Sequence, residues 1–284
     1  MKFAVIADIH SNYMALENAL CMVDELRPDG LIFLGDYLTD FPYPQNTLRL
    51  LDECRAHFPC HFVRGNREDY LIRHRTSPDD GWKYSSSSGS LLYTYENLTA
   101  SDLDMLAAMP VCHDILPAGL PGITICHASP RGTKEWIMNR PGMIERYTKE
   151  IAGKVLLCGH THKSGVAEAN GKRVIFCPSL GLPQDRRPGS KFLTIEYGRG
   201  TWHYRTWLVD YDKRRMIGEF KRSGLWDKAG IWSRCIIKAM LEERDCAARC
   251  VALAWRIAAA DKYDGDSVLP ERYWEQAAKE LSIL

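Results

Sequence analysis

The 284-residue sequence has almost no net charge, no long apolar run and no internal repeat. Its 37 basic and 36 acidic residues leave a formal charge of +1, which argues against nucleic acid as a partner because such partners attract a strongly basic surface. The most apolar segment, residues 246–260, is too short to span a bilayer and contains two arginines. We therefore expect no membrane partner.

The sequence also lacks the cysteine spacing of a zinc finger and the pattern of a signal peptide, although it has ten cysteines. Cys126, Cys158 and Cys177 lie in apolar segments, where a thiol behaves as a small hydrophobic group. Cys246 and Cys250 are four residues apart, but no second pair completes a metal site. These features favour a cytoplasmic protein with reduced thiols.

What the sequence does contain is a set of short apolar segments that end on polar side chains. Residues 31–34 are typical of a buried strand and stop at Gly35 and Asp36. Strands predicted near residues 3–7, 61–64, 123–126 and 155–158 end in the same way, and helices predicted at 11–26 and 45–57 indicate a parallel α/β sheet. The carboxyl ends of parallel strands share one crevice. Seven candidate metal ligands follow these strands: Asp8, His10, Asp36, Asn66, His127, His160 and His162.

The donor set indicates a particular chemistry. Carboxylate, amide and imidazole donors without thiolate suit manganese, iron, zinc, nickel or magnesium. Seven ligands exceed what one ion with an open position needs, so the sequence predicts two ions, with Asp36 as the candidate bridging carboxylate. Two ions about 3.5–4 Å apart can hold a hydroxide, lower the pKa of its parent water and bind phosphoryl oxygens.

The rest of the chain divides into a strand-rich part and a helical part. Strands predicted up to residue 209 imply a second sheet that faces the first. Residues 131–152 are predicted to be helix broken at Pro141, and the serine-containing segment 69–95 is predicted to be a solvated loop rather than a substrate lid. We expect a main domain at residues 1–210 and a C-terminal helical appendage at residues 211–284, with one long helical stretch at 229–260. The appendage would pack on the main domain or on a second subunit.

Five motifs occur in order along the main domain: Asp8-x-His10, Gly35-Asp36, Gly65-Asn66, His127 and Gly159-His160-Thr161-His162. They resemble the metal motifs of the calcineurin-like metallophosphoesterase superfamily. Flanking residues, among them Asn12, Pro42-Tyr43-Pro44, Ser129-Pro130-Arg131 and the segment 178–183, are similar to those of its small bacterial phosphodiesterase branch, often described as related to diadenosine tetraphosphatase. The resemblance covers residues 1–209.

This resemblance implies an α/β fold, a four-layer α/β/β/α sandwich of two facing mixed sheets flanked by helices. It implies that one ion is held by Asp8, His10, Asp36 and His162, and the other by Asp36, Asn66, His127 and His160. The implied enzyme is a phosphohydrolase acting on a small phosphorylated substrate, a phosphodiester or nucleotide-like phosphoanhydride, with a hydroxide between the metals as nucleophile. We predict Asp36, Asn66 and Arg67 in catalytic positions.

Arg67 is a departure from the family, which often has a histidine after the asparagine. A guanidinium does not release its proton near neutral pH, but it can bind phosphate oxygens in a fork, which favours leaving groups that need little protonation. Arg67 could instead pair with Glu68 or Asp69. Asn12 is a candidate substrate contact or a simple helix cap. Arg131 is a third candidate substrate contact, or else an ordinary surface arginine.

Two other functions are compatible with the same fold. A protein phosphatase is one, although the missing histidine after Asn66 argues against it. The other is a non-catalytic interaction scaffold, for which the apolar C-terminal helices would provide a partner surface or a homo-oligomer contact. Competent residues at all seven ligand positions favour an enzyme.

Overall fold

Two five-stranded sheets form the centre of the computed structural model, which describes residues 1–185, 188–265 and 268–284. The first sheet has the order β10-β9-β1-β2-β3, with β1 parallel to β2 and β2 parallel to β3. Its strands are β1 (Lys2–Ile6), β2 (Gly30–Phe33), β3 (Cys60–Phe62), β9 (Ser190–Gly198) and β10 (Thr201–Val209).

The second sheet has the order β4-β5-β6-β8-β7, with a parallel centre and an antiparallel strand at each edge. Its strands are β4 (Cys112–Ile115), β5 (Ile123–Cys126), β6 (Val155–Cys158), β7 (Gly165–Ala169) and β8 (Lys172–Phe176). The strands predicted from the sequence are confirmed within one or two residues. Strand β4 was not predicted, because exposed His113 and Asp114 interrupt its apolar pattern.

The helices flank the sheets and occupy the C-terminal part of the chain. They are α1 (Tyr13–Leu26), α2 (Pro44–His57), α3 (Asn66–Thr76), α4 (Gly89–Glu96), α5 (Ala100–Ala108), α6 (Pro141–Glu150), α7 (Lys213–Arg222), α8 (Leu225–Lys228), α9 (Gly230–Glu242), α10 (Ala247–Ala260) and α11 (Glu271–Glu280). Within the described ranges, none of the helices combines the length and apolar composition needed to span a bilayer.

Burial confirms the predicted four-layer α/β/β/α sandwich. Alternate residues of both sheets, such as Val5, Ile32, Ile125 and Leu157, form one core between them. Because side chains alternate across a strand, the remaining apolar residues face outward. Those of the first sheet pack under α1, α2 and the C-terminal helices, and those of the second pack under α6.

The helix predicted at residues 131–152 is wrong in its first half, and helix begins only at Pro141. Ser129 and Gly132 exchange backbone hydrogen bonds at 3.0 and 3.3 Å, which turns the chain back on itself. Pro141 then occupies the first helical turn, where its missing N–H costs nothing. Residues 131–140 are therefore a loop beside the strand ends.

The solvated loop predicted at residues 69–95 is also wrong. Helix α3 runs through its start and α4 through its end, and the side chains of Ser86, Ser88 and Ser90 are buried. Two of these serines have partners far along the chain: Ser86 donates to Glu271 at 2.7 Å, and Ser90 donates to Asp40 at 3.3 Å. Ser88 donates to the nearby carbonyl of Lys83 at 2.9 Å. Apolar periodicity cannot reveal a segment that is buried through polar contacts.

The C-terminal helices pack on the first sheet side of the same chain. The ring of Phe220 lies 5.5 Å from that of Phe41, in the core that also contains the outer face of β1 and β2. The single stretch predicted at 229–260 is instead two helices, because Glu243 has a left-handed conformation and Asp245 caps α10 through the amide of Ala248. The domain boundary at residue 210 and the oligomer contact stay predictions.

Candidate metal centre

The carboxyl ends of five strands bring the seven predicted ligands to one crevice. Asp8 and His10 follow β1, Asp36 follows β2, Asn66 begins α3 after β3, His127 follows β5, and His160 and His162 follow β6. All are buried except His160, which is partly exposed. The crevice arises because parallel strands of both sheets end at the same edge.

One group of ligand atoms surrounds the position between His10 and His162. Their Nε2 atoms are 3.1 Å apart, Nε2 of His162 is 3.6 Å from Oδ1 of Asp8, and Nε2 of His10 is 3.7 Å from Oδ2 of Asp36. Asp8, His10 and His162 have donor atoms that all lie within 4.8 Å of one another, a spacing that a single cation can bridge.

A second group surrounds His127. Its Nε2 atom lies 3.1 Å from Oδ1 of Asn66 and 3.5 Å from Oδ1 of Asp36, and its ring centroid is 5.0 Å from that of His160. The two carboxylate oxygens of Asp36 therefore point toward different groups, Oδ2 toward His10 and Oδ1 toward His127. A bridging carboxylate requires this arrangement.

Hydrogen bonds on the far side of each ring decide which nitrogen is available. Nδ1 of His127 donates to the carbonyl of Leu34 at 2.7 Å, and Nδ1 of His162 donates to that of Leu182 at 2.6 Å. Nδ1 of His10 lies 2.9 Å from the carboxylate of Asp40. Since a carbonyl can only accept, the neutral rings of His127 and His162 present an unprotonated Nε2 to the crevice, and the carboxylate beside Nδ1 favours the same tautomer for His10.

These contacts test whether the residues fit a metal. The Nε2 atoms of His10 and His162 face each other at 3.1 Å, and Nε2 of His127 faces the side-chain oxygen of Asn66 at the same distance. Two acceptors this close repel each other unless a proton or a metal cation lies between them. The donor set therefore fits two cations, one at each pair.

The electrostatics agree with this fit. Burial and the neighbouring charge of Asp36 raise the pKa of Asp8 well above its usual value. Burial also raises the pKa of Asp36, but His127, His10 and Arg67 lower it by more. Burial and the proximity of His127 lower the pKa of His160 to about 4, so its imidazole is neutral and able to coordinate at neutral pH. A cation would offset the repulsion between the two carboxylates.

Backbone strain is concentrated at the ligands. Five of them have a positive φ that residues other than glycine rarely adopt: Asp8 at 52°, His10 at 53°, Asp36 at 52°, His160 at 64° and His162 at 56°. Such conformations cost on the order of 1–3 kcal/mol each and persist where the surroundings enforce them. The sharp turns let consecutive residues direct their side chains into one small volume.

Glycines and a buried glutamate hold two of these turns together. A Cβ atom on Gly65 would lie 2.2 Å from Oδ1 of Asp36, so only glycine allows the two loops to approach so closely. The carboxylate of Glu68 accepts the backbone N–H groups of Gly65 at 2.8 Å and of Asp36 and Tyr37 at 2.9 Å. Burial and the charge of Asp36 raise the pKa of Glu68 to about 8.

Arg67 lies beside the ligands, and its partner differs from both candidates named from the sequence. Its Nη2 atom is 3.0 Å from Oδ2 of Asp40, whereas Glu68 binds backbone amides and Asp69 binds Arg64 at 2.8 Å. Nε of Arg67 is buried, and within the described part of the chain it has no hydrogen-bond acceptor. This donor lies 4.0 Å from Asp36, where a phosphoryl oxygen could satisfy it.

The other two predicted substrate contacts are engaged elsewhere. Asn12 is buried, caps α1 by accepting the N–H of Ala15 at 3.2 Å, and donates to the Tyr211 hydroxyl at 2.8 Å. The guanidinium of Arg131 donates twice to Glu150, at 3.0 and 2.8 Å. Asn12 therefore acts as a helix cap, and Arg131 would have to leave Glu150 to contact a substrate.

Two side chains next to the ligands were missed from the sequence. Asp40 holds His10 and Arg67, and its position four residues after Asp36 in the same loop was an available signal. Trp136, 37% exposed, has its ring centroid 6.1 Å from that of His160, and the ammonium of Lys163 lies 5.9 Å from the indole. It comes from the loop mistaken for helix, so its position had no signal in the sequence.

Three known proteins are similar to this chain in sequence or in fold. An uncharacterized protein of Methanocaldococcus jannaschii is 25% identical over 193 residues, which make up 66% of this chain and 74% of that protein. The structure of a hypothetical protein from Pyrococcus horikoshii OT3 is similar with a TM-score of 0.69 at 20% identity, covering 84% of this chain and 97% of that one. A metallophosphoesterase from Sphaerobacter thermophilus has a TM-score of 0.60 at 21% identity, covering 79% and 95%.

Both structural likenesses concern the fold alone. The sequence profile of the calcineurin-like phosphoesterase superfamily domain matches residues 1–199, well over half of the chain, and this range contains all seven ligands. The chain therefore belongs to the calcineurin-like phosphoesterase superfamily.

Proposed function

We propose that this protein is a phosphoesterase that uses two metal ions to hydrolyse phosphodiester or nucleotide-like phosphoanhydride bonds. Two pairs of side chains bring nitrogen or oxygen acceptors face to face, His10 with His162 and His127 with Asn66, and one oxygen of Asp36 is directed toward each pair. This observation carries the proposal. Two bound cations supply Lewis acidity toward a phosphoryl group and lower the pKa of water.

The chain's own residues would orient the substrate and keep the site in order. Asp8, His10, Asp36 and His162 would hold one ion, and Asp36, Asn66, His127 and His160 the other. Arg67 offers a cationic group with a buried, unsatisfied Nε donor beside Asp36, which suits a phosphate oxygen.

Arg67 also limits the choice of leaving group. It remains charged near neutral pH, since Asp40 and Asp36 raise its pKa against the opposing effect of burial. It therefore binds phosphate without donating a proton to the departing oxygen. We expect nitrophenyl esters and phosphoanhydrides to be cleaved faster than alkyl phosphomonoesters, and equal rates for nitrophenyl and alkyl monoesters would contradict this role.

Trp136 supports a substrate with an aromatic portion. Its partly exposed indole lies beside His160, with the ammonium of Lys163 near its face. An aromatic ring stacked on this indole would leave its phosphate near the ligands, and base–aromatic stacking contributes about 1–3 kcal/mol. This geometry favours nucleotide-like substrates and agrees with the small bacterial phosphodiesterase branch suggested by the flanking motifs.

The proposal can be tested by metal analysis together with hydrolysis of bis-nitrophenyl phosphate. The metal-free protein is reconstituted with manganese, iron, zinc, nickel or magnesium, and we expect two equivalents of at least one metal and metal-dependent turnover. His162→Ala should lose one equivalent and most activity. His203→Ala is the matched control, because His203 is an exposed histidine on β10 whose ring is hydrogen-bonded to the backbone carbonyl of Gly198 on β9.

The result also separates the enzyme from a scaffold. A folded protein that binds no metal, or that binds metal without hydrolysing any phosphodiester, phosphoanhydride or phosphomonoester, would refute the phosphoesterase and favour an interaction role. Preference for phosphorylated proteins over small phosphodiesters would favour a protein phosphatase instead.

A further inference from the structure

Asp40 lies at a junction between the metal centre and the C-terminal helices. It is buried, and both of its carboxylate oxygens are occupied. Oδ2 lies 2.9 Å from Nδ1 of His10 and 3.0 Å from Nη2 of Arg67. Oδ1 accepts the indole N–H of Trp232 at 2.8 Å and the hydroxyl of Ser90 at 3.3 Å.

We infer that Trp232 is a positioning residue of the metal centre: through Asp40 it fixes the imidazole of His10 and the guanidinium of Arg67. The inference rests on the proposed function, and it extends the functional unit beyond the matched residues 1–199 into α9. Trp232 contacts Asp40 and the guanidinium of Arg67, so its effect on the predicted ligand His10 is indirect.

The effect on His10 follows from the roles of its two nitrogens. A carboxylate next to Nδ1 keeps the proton on that nitrogen and leaves Nε2 free for a cation, and removing such a partner weakens metal binding about 10- to 100-fold. The carboxylate can do this only if its own orientation is fixed. Trp232 and Ser90 hold Oδ1, and the hydroxyl of Thr39 donates to Oδ2 at 3.2 Å, which together keep Oδ2 directed at His10 and Arg67.

The effect on Arg67 adds a second contact. The guanidinium carbon lies 5.9 Å from the centroid of the Trp232 ring, within the range of a cation–π interaction, and the side chain is only 20% exposed. Arg67 is therefore confined between Asp40 and the indole. A long flexible side chain confined in this way loses less entropy when it binds phosphate.

Helix α9 is itself held in place by the segment before α4. The N–H of Ile231 donates to the hydroxyl of Ser86 at 2.8 Å, and Ser86 in turn donates to Glu271 of α11 at 2.7 Å. The backbone N–H of Asp40 donates to Ser90 at 2.8 Å. Hydrogen bonds thus hold both the helix that carries the indole N–H and the loop that carries the carboxylate. A positioning contact requires that both partners be held in this way.

The test replaces Trp232 by phenylalanine, which keeps an aromatic ring but removes the N–H donor. Metal affinity is measured on the full chain by competition with a chromophoric chelator, and inorganic phosphate is titrated as a probe of Arg67. Trp207→Phe is the matched control, because the Trp207 indole N–H donates to Thr194 at 3.0 Å on β9, away from the ligands. Ser90→Ala removes the second donor to Oδ1 of Asp40, together with the acceptor of the Asp40 backbone N–H, and is an independent variant.

We expect Trp232→Phe and Ser90→Ala to weaken one of two metal sites about tenfold and to weaken phosphate binding, with Trp207→Phe unchanged. If Trp232→Phe does not fold, Ser90→Ala decides by itself. Two metal equivalents with unchanged affinities in a folded variant would overturn this inference alone. A wild-type protein without any metal affinity would overturn the proposed function and this inference together.

Discussion

Replacing Glu68 by alanine tests whether a buried carboxylate holds the loops of the metal centre together. Glu68 is fully buried, and it accepts three backbone N–H groups, those of Gly65, Asp36 and Tyr37, at 2.8–2.9 Å. All three amides belong to or flank the predicted ligands Asp36 and Asn66. Glu68→Ala should therefore reduce both the stability of the fold and the affinity for metal.

The magnitude follows from the number of donors left without a partner. Each unsatisfied buried donor costs about 1–3 kcal/mol, so three give about 3–9 kcal/mol. Water entering the space of the lost side chain moves the effect toward the lower end, about 3 kcal/mol. In a domain of this size 1 kcal/mol lowers Tm by about 2–4 °C, so the expected drop is about 6–12 °C.

The assay is thermal unfolding of the metal-free protein followed by a metal titration. Glu68→Gln keeps one carbonyl oxygen as an acceptor and should fall between alanine and wild type. Glu150→Ala is the control, since its ion pair with Arg131 lies at the surface, where such pairs contribute about 0–1 kcal/mol. A Tm for Glu68→Ala within about 4 °C of wild type, the largest shift expected for that control, would refute the reasoning.

Three further outcomes follow from the same geometry. Asp36→Asn should lower the affinity for both ions in a metal titration, because its oxygens point to different ligand groups; loss of one ion only would show that the bridge is misassigned. Gly65→Ala should abolish metal binding at one or both positions, since its Cβ would lie 2.2 Å from Asp36 Oδ1, and a variant with wild-type affinities would contradict this. A chain that ends at Tyr211 should aggregate in size-exclusion chromatography because it exposes the apolar surface under α7 and α9; a soluble, active monomer would show that the helices are separable.

Much of the candidate metal centre could be predicted because its candidate ligands obey a rule of topology. Buried parallel strands have a clear apolar pattern, and the polar residue that follows each one must lie at the same edge of the sheet. Asp36, His127 and His160 were identifiable in this way without knowledge of the helices. The same rule could not assign each ligand to an ion, because that depends on which ring nitrogen and which carboxylate oxygen faces the crevice.

The substrate side of the site was less predictable, because it depends on loops whose course is set by distant polar contacts. Trp136 lies near His160 only because the chain turns at Ser129 and Gly132 and does not continue as helix. Arg67 was predicted to contact substrate or else to pair with Glu68 or Asp69, yet its partner Asp40 is 27 positions away and lies in another loop of the crevice. The spacing of residues along the sequence does not predict such contacts between distant residues.

The C-terminal helices contribute both to the core on the first sheet and to the surroundings of the candidate metal centre. Their apolar residues were correctly expected to need cover, and they find it on the outer face of the first sheet. That same packing brings the indole of Trp232 within hydrogen-bond distance of Asp40, which contacts His10 and Arg67. Displacing these helices would expose apolar surface and also remove a partner from the carboxylate that orients a ligand. Stability and metal affinity should therefore decline together in variants of this contact, whereas variants of the cores under α6 should change stability alone.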